Sequence, residues 1–192
     1  MQLQPMNRDD AWRLLNEYTA SESLLKHAMG VEAAVRGYAR IFGENEDDWG
    51  IVGLLHDFDY ERWPTAEDHP FRGCEILRDR GYPEWVTRAI LSHADYSGVP
   101  RESRLEKTLW GCDEMAGFVT AASLVRPSKS ILDLEAASVM KRMKDKAIAR
   151  AVKRDDLKKG AEDLGLSLEE HIGNVIVFMR ERADALGLRG AL

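Results

Sequence analysis

Apolar residues along this chain recur at intervals of three and four, the period of an amphipathic helix, over nearly its whole length. Leu24, His27/Ala28, Val31, Ala34/Val35 and Tyr38 form one stripe and predict a helix over residues 21–41. Ile51, Val52, Leu54, Leu55 and Phe58 predict a short, strongly apolar helix that carries His56 and Asp57. Asp68 reads as the N-cap of a helix with His69 and Pro70 in its first turn, where proline is tolerated, ending near Arg80 before Gly81. Pro83 opens another, through Trp85, Val86, Ala89, Ile90 and His93. Ser103-Arg-Leu-Glu106 and Ser167-Leu-Glu-Glu170 are capping boxes. The first starts a helix through Leu109, Asp113, Ala116 and Thr120; the second starts one through Ile172, Val175, Ile176 and Met179 to about residue 185. Between them Pro127 interrupts the pattern and Ser130-Ile-Leu-Asp133 restarts it. Alternating strand patterns and internal repeats are absent, so the expectation is an all-α bundle of about eight to ten helices.

At ~150 residues per domain, 192 residues favour one domain spanning 1–192, with a core over about 21–124 and C-terminal helices at 130–187 packing on it. The apolar runs are too short to span a bilayer, and the opening Met-Gln-Leu-Gln-Pro-Met-Asn-Arg-Asp-Asp lacks the apolar region of a signal peptide. Cys74 and Cys112 form no C-x-x-C pair and no disulfide framework, which makes a reducing, cytoplasmic setting the expectation. A net charge of −6 argues against general nucleic-acid binding. The charge is uneven. Residues 44–68 hold nine acids and one base, Arg62, whereas residues 141–159 hold nine bases against Asp145, Asp155 and Asp156. Such an asymmetry can set cations opposite an acidic metal site, or it can be a solvated helix face.

The pair His56-Asp57 lies within Gly-Leu-Leu-His-Asp-Phe-Asp, and an ionisable dipeptide among apolar residues is costly to bury without compensation. Hydrogen bonding within the core is one remedy. A divalent cation is another, since imidazole nitrogen and carboxylate oxygen both ligate such ions. His27 shares the inward stripe of Leu24 and Val31, and Asp113 falls four after Leu109 and three before Ala116, so both face inward as well.

His27, His56-Asp57 and Asp113 resemble the H…HD…D signature of the HD-domain superfamily of metal-dependent phosphohydrolases. His69 in Asp-His-Pro and His93 in Ile-Leu-Ser-His-Ala-Asp-Tyr look like the two further histidines of members with a binuclear centre, and residues 66–77 are similar to the helix after the HD pair in the HDIG-type subgroup. The chain as a whole resembles a small bacterial group of predicted hydrolases of this superfamily that likewise read HDFDYER. The resemblance implies an HD-type helical bundle and one or two divalent ions (Mn, Fe, Zn, Co, Ni or Mg). It assigns His27, His56, Asp57 and Asp113 to the first ion and His69 and His93 to the second, with Asp57 bridging and Asp57 and His56 catalytic. Paired cations lower the pKa of a shared water and neutralise a phosphoryl oxygen, so a small phosphorylated metabolite is the expected substrate. The same likeness extends to the superfamily's di-iron oxygenases, including the inositol-cleaving one, and a metal-stabilised binding module is the non-catalytic alternative. Phosphodiester-cleaving members often read HD-x-G-K; Asp59 and Tyr60 stand there instead, which argues against cyclic-dinucleotide hydrolysis.

Arg62 is a candidate to replace the missing lysine, and Arg126-Pro-Ser-Lys-Ser130, at the junction of two helices, offers Arg126 and Lys129 to a phosphate. Lys144 and Lys146 are further candidate substrate contacts, and Glu67, Asp68 and Asp95 are the expected outer partners of the histidines. His171, beside the apolar stripe of its helix, is expected at the surface. The five tryptophans (Trp12, Trp49, Trp63, Trp85, Trp110) are expected in the core.

Overall fold

Two 21-residue helices, α2 (Glu22–Phe42) and α6 (Arg104–Leu124), organise the chain. The structure, a computed structural model, describes residues 6–145 and 147–191. Around the two long helices stand α1 (Arg8–Tyr18), α3 (Glu46–Leu55), α4 (Phe71–Asp79), α5 (Glu84–His93), α7 (Ala136–Arg142), α8 (Arg154–Asp163), α9 (Leu168–Arg180) and α10 (Ala183–Leu186), with one 3-10 turn at Asp95–Ser97. The described residues hold ten α-helices and no strand, as the apolar period predicts.

α2 packs on α3, α6 and α9, and α6 packs on α2, α5, α8 and α9. Val31, Val35, Tyr38, Ile51, Leu55, Leu109, Met115, Phe118 and Val175 interlock in the shared core. α2 stops where Gly43 adopts φ 70°, a left-handed conformation that lets the Glu44 N–H reach Ala39 O at 2.9 Å. α6 and α8 meet at glycines: a Cβ on Gly160 would lie 2.8 Å from Gly111 Cα, so only two bare backbones permit this crossing. Both capping boxes form, at Ser103/Glu106 and Ser167/Glu170. Glu106 also takes Arg88 Nε at 2.9 Å, and buried Glu32 of α2 takes both Arg8 of α1 and Arg36.

Several local expectations need correction. α4 starts at Phe71, not Asp68, whose carboxylate instead pairs with Arg72. Residues 130–133 form a turn, and the helix resumes only at Ala136. There Asp133 accepts from Arg126 (2.7 Å) and Ser128 (3.1 Å), which holds the loop without a helix. Of the tryptophans, Trp49 and Trp110 are buried, Trp12 and Trp63 are half-buried, and Trp85 is 41% exposed. His171 is 0% exposed, because Tyr38 and the Gly111 carbonyl satisfy both its nitrogens.

Candidate metal centre

The His56-Asp57 pair lies just past α3, whose last residue is Leu55, rather than inside a helix. Leaving the helix frees the two side chains to point together into the space beside α2 and α6. His27 comes from the first half of α2, Asp113 from the middle of α6, His93 from the last turn of α5, and His69 from the turns that lead into α4. Five chain segments thus meet at one place.

These side chains form two groups. His27, His56 and Asp113 make one, Asp57, His69 and His93 the other, and in each group one potential ligand atom per residue lies within 4.8 Å of the rest. Asp113 Oδ1 is 3.0 Å from His27 Nε2 and 3.4 Å from His56 Nε2. Asp57 Oδ1 is 3.2 Å from His69 Nε2 and 3.1 Å from His93 Nε2, while its Oδ2 is 3.5 Å from His56 Nε2. The two oxygens of Asp57 therefore address different groups. The rings run in a row, His27, His56, His93, His69, with centroids 5.3 Å apart at each step.

Ring orientation is set by the other nitrogen. His56 Nδ1–H donates to Gly53 O at 2.8 Å, His69 Nδ1–H to Asp59 Oδ1 at 2.8 Å, and His93 Nδ1–H to Ile90 O. Each of these three imidazoles consequently turns Nε2 toward the centre, the nitrogen that a histidine offers to a metal once its proton is lost. Among the described residues, buried His56 Nε2 and Asp57 Oδ1 have no hydrogen-bond partner, although other polar atoms lie 3.1–3.5 Å away. An orphaned buried polar atom is costly unless something fills the space beside it. The donor set, nitrogen and carboxylate oxygen, fits a divalent cation.

Electrostatics agree. Burial opposes charge on His56, yet Asp57 and Asp113 outweigh it and hold the imidazole up to about 10. His69, likewise desolvated, is held up to about 9 by Asp57 and Asp59. Burial resists ionisation of Asp57 and Asp113, but the facing histidines hold both well below the usual carboxylate range. Glu114, exposed at one edge yet partly withdrawn from water beside Asp113, is pushed up to about 7. His171, by contrast, is held down by burial and stays outside the cluster.

Asp59 is the supporting residue that sequence reasoning missed. It is 1% exposed, orients His69 through Oδ1 and accepts the Gly73 N–H through Oδ2 at 2.7 Å. A Cβ at Gly73 would lie 2.7 Å from Asp59 Cγ, so glycine there admits the carboxylate. The available signal was an acid two residues past a His-Asp pair, in a position set aside as a departure from a glycine pattern. The expected outer partners do otherwise: Asp68 binds Arg72, Asp95 binds Arg101, and Glu67 is exposed.

The structure does not bring the expected substrate cations to this centre. Arg62 is exposed, lies 4.3 Å over the Tyr18 ring and donates to Glu17 O, which ties it to α1. Arg126 follows the end of α6, thirteen residues after Asp113, or about 20 Å at 1.5 Å per residue, and its guanidinium is bound to Asp133. Lys129 lies in the same remote loop with φ 49°. Lys144 is exposed in the turn after α7, a helix that packs on α9 and α6. Lys146 lies outside the described residues.

A family model for the HD domain matches residues 24–184, and the chain belongs to this family. The match covers all six candidate ligands and most of the chain. The HD domain is a helical fold of a superfamily of metal-dependent hydrolases, and the two His/Asp groups can hold a metal ion. No solved structure matches the chain.

Proposed function

We propose that this chain is a phosphohydrolase that acts on a small phosphorylated substrate, a nucleotide or another phosphoester, with one or two divalent ions held by His27, His56, Asp57, His69, His93 and Asp113. The observation that carries this reading is the convergence of two His/Asp groups on Asp57, whose oxygens face one group each. Family membership supports hydrolysis as the kind of reaction.

Divalent cations at such a site supply Lewis acidity, which makes a water acidic enough to attack near neutral pH and offsets charge on a phosphoryl oxygen. The chain's own part is positional. Asp57 bridges the groups and, with His56, is the residue on which turnover depends most. The Gly53, Ile90 and Asp59 acceptors keep three imidazoles turned inward before substrate arrives, so little reorganisation remains to be done during reaction.

The test is phosphate release from a panel of phosphomonoesters and nucleotides by protein loaded in turn with manganese, iron, cobalt, nickel, zinc and magnesium, beside Asp57→Ala. Release well above the variant's supports the proposal. Release no greater than the variant's with every ion overturns it, as does oxygen uptake with substrate in place of phosphate release.

A further inference from the structure

Two exposed tyrosines stand beside the metal centre. In the second group Asp57 is the residue that water reaches, with 22% of its side chain exposed, whereas His69 and His93 are almost closed off. Tyr60 follows Asp57 closely: its N–H donates to Asp57 O at 3.0 Å, and its ring meets the His69 ring nearly at right angles, with centroids 5.2 Å apart. Tyr96 comes three residues after His93, in the 3-10 turn Asp95–Ser97. Partial burial pushes its hydroxyl up, and Asp57, Asp59 and Tyr60 stand near enough to add to that. Both rings nonetheless meet solvent, Tyr60 being 40% and Tyr96 54% exposed.

A single exposed aromatic residue needs no explanation. Trp85 is one, in the first turn of α5, eight residues before His93 or about 12 Å of helix rise away. Tyr60 and Tyr96 differ because two separate segments bring them to the same carboxylate. The Tyr96 turn is also firmly built. Ser97 Oγ donates to Leu91 O at 2.6 Å, and Arg101 Nη1 donates to Asp95 Oδ1 at 2.7 Å and to Ser92 O at 3.0 Å. Gly98 closes the turn at φ 72°. Residues on both sides of Tyr96 are thus tied down while its ring is left to solvent. The base nearest in sequence, Arg101, is spent on Asp95 and on the Trp110 face, 4.2 Å away. What these segments offer a ligand is therefore flat aromatic surface rather than charge. A tyrosine ring supplies such surface with little side-chain freedom to lose, and it stacks well on another planar ring.

Resting on the reading of the centre as a phosphoester site, we infer that Tyr60 and Tyr96 are its specificity-determining residues, which take a planar ring of the substrate while the His/Asp groups take its phosphate. The substrate is then a ring-bearing phosphoester and not an open-chain one. A nucleobase and an aryl group share the chemistry that the two tyrosines recognise.

The test measures binding to the full-length, metal-loaded chain by calorimetry, with phosphonates because their C–P bond does not hydrolyse. Methylphosphonate carries no ring, benzylphosphonate carries an aryl ring, and the phosphonate analogue of adenosine 5′-phosphate carries a nucleobase. The expected result is that a ring-bearing compound binds about ten-fold or more tighter than methylphosphonate. Tyr60→Ala/Tyr96→Ala should lose that advantage and Tyr60→Phe/Tyr96→Phe should keep it. Tyr60→Ala also removes a neighbour of His69, so Tyr96→Ala is made alone as well, with elemental analysis to check its metal; it should lose about three-fold or more of the advantage. The tighter of the two ring-bearing compounds identifies the ring as nucleobase or aryl group. Ring-bearing compounds that bind no tighter than methylphosphonate overturn the inference, as does an advantage untouched by the alanine variants. A loss as large in the phenylalanine variant overturns it too, since the hydroxyls and not the rings would then be at work. Phosphate release is scored separately: the expected pattern in protein that hydrolyses no ester leaves the ring site standing and removes only the hydrolase reading.

Discussion

The two charge-rich regions of this molecule behave in opposite ways. Candidate ligands between His27 and Asp113 are sparse in sequence, up to 86 residues apart, yet they gather into one cluster. The bases of residues 141–159 are dense in sequence and disperse. Arg154 turns inward to donate to five backbone carbonyls between Met143 and Val152, while Lys158 and Lys159 pair with Asp155 and Asp163 along their own helix. The difference lies in anchoring. In the cluster, three ring Nδ1–H groups are tied to fixed acceptors, so the free ends converge. Long basic side chains without such a tie follow solvent or the nearest acid.

The comparison breaks hardest at Asp57. Asp57→Ala removes the carboxylate that faces both groups, and the expected outcome is loss of bound metal together with a roughly thousand-fold or greater fall in phosphoester turnover. Elemental analysis of the purified variant and initial rates at saturating metal check both parts. Lys144→Ala, in the dispersed region, is expected to change neither.

Asp59 tests whether anchoring causes the convergence. Asp59→Asn can still accept from His69, but its amide then faces the Gly73 N–H donor to donor in a buried site. The expected cost is about 10–100-fold in affinity for the ion nearer His69. The His27 group keeps its affinity, because the Asp59 carboxylate bonds to His69 and Gly73 and not, among the described residues, to that group. Metal titration by calorimetry separates the two. A uniform loss over both groups would mean that Asp59 supports the fold at large instead of orienting one ring.

These residues also mark how much was legible beforehand. The apolar period predicts helices well because burying one face of a helix is the dominant local constraint, and both capping boxes form where Ser and Glu stand three apart. The inward phase of His27 and Asp113 was readable for the same reason. Helix ends were less so: Asp68 has the chemistry of an N-cap, but α4 starts three residues later, after the segment that delivers His69. Asp59 and His171 were illegible because their roles depend on partners brought close only by the tertiary fold, Gly73 for one and Tyr38 with Gly111 for the other. The basic segment misled because charge density along a chain carries no information about where each long side chain finds its acceptor.

His171 sharpens the contrast from the opposite side, as a buried histidine with every bond made. Tyr38 O–H donates to its Nδ1, and its Nε2–H donates to Gly111 O at 2.8 Å. His171→Phe leaves the buried Tyr38 O–H without its acceptor and takes a second donor from the Gly111 carbonyl, and is expected to cost about 1–3 kcal/mol, a drop of roughly 2–10 °C in melting temperature. Metal affinity and turnover should stay at wild-type levels. Thermal denaturation beside elemental analysis gives the answer.

Subtler than any substitution is a pH dependence whose sign differs with and without metal. His56 and His69 have folded values of about 10 and about 9, both above the ~6.5 of an unfolded histidine. In chelated protein their contribution to stability is fully present below about 6.5 and is lost as pH rises through 9 to 10. Asp57 and Asp113 are depressed, so their contribution is present above about 4 and falls away only in acid. The same protons compete with cations for the Nε2 lone pairs, so metal affinity rises over the interval in which the chelated protein weakens. Melting curves from pH 6 to pH 10, with chelator and with saturating metal, should therefore diverge, the gain from metal growing with pH. The His171→Phe variant should trace the same divergence from a lower baseline, because burial holds that imidazole's pKa down and it lies outside the cluster. A gain from metal that stays flat across the range would mean that the ions do not displace protons from the cluster, and would separate the histidines from the metal altogether.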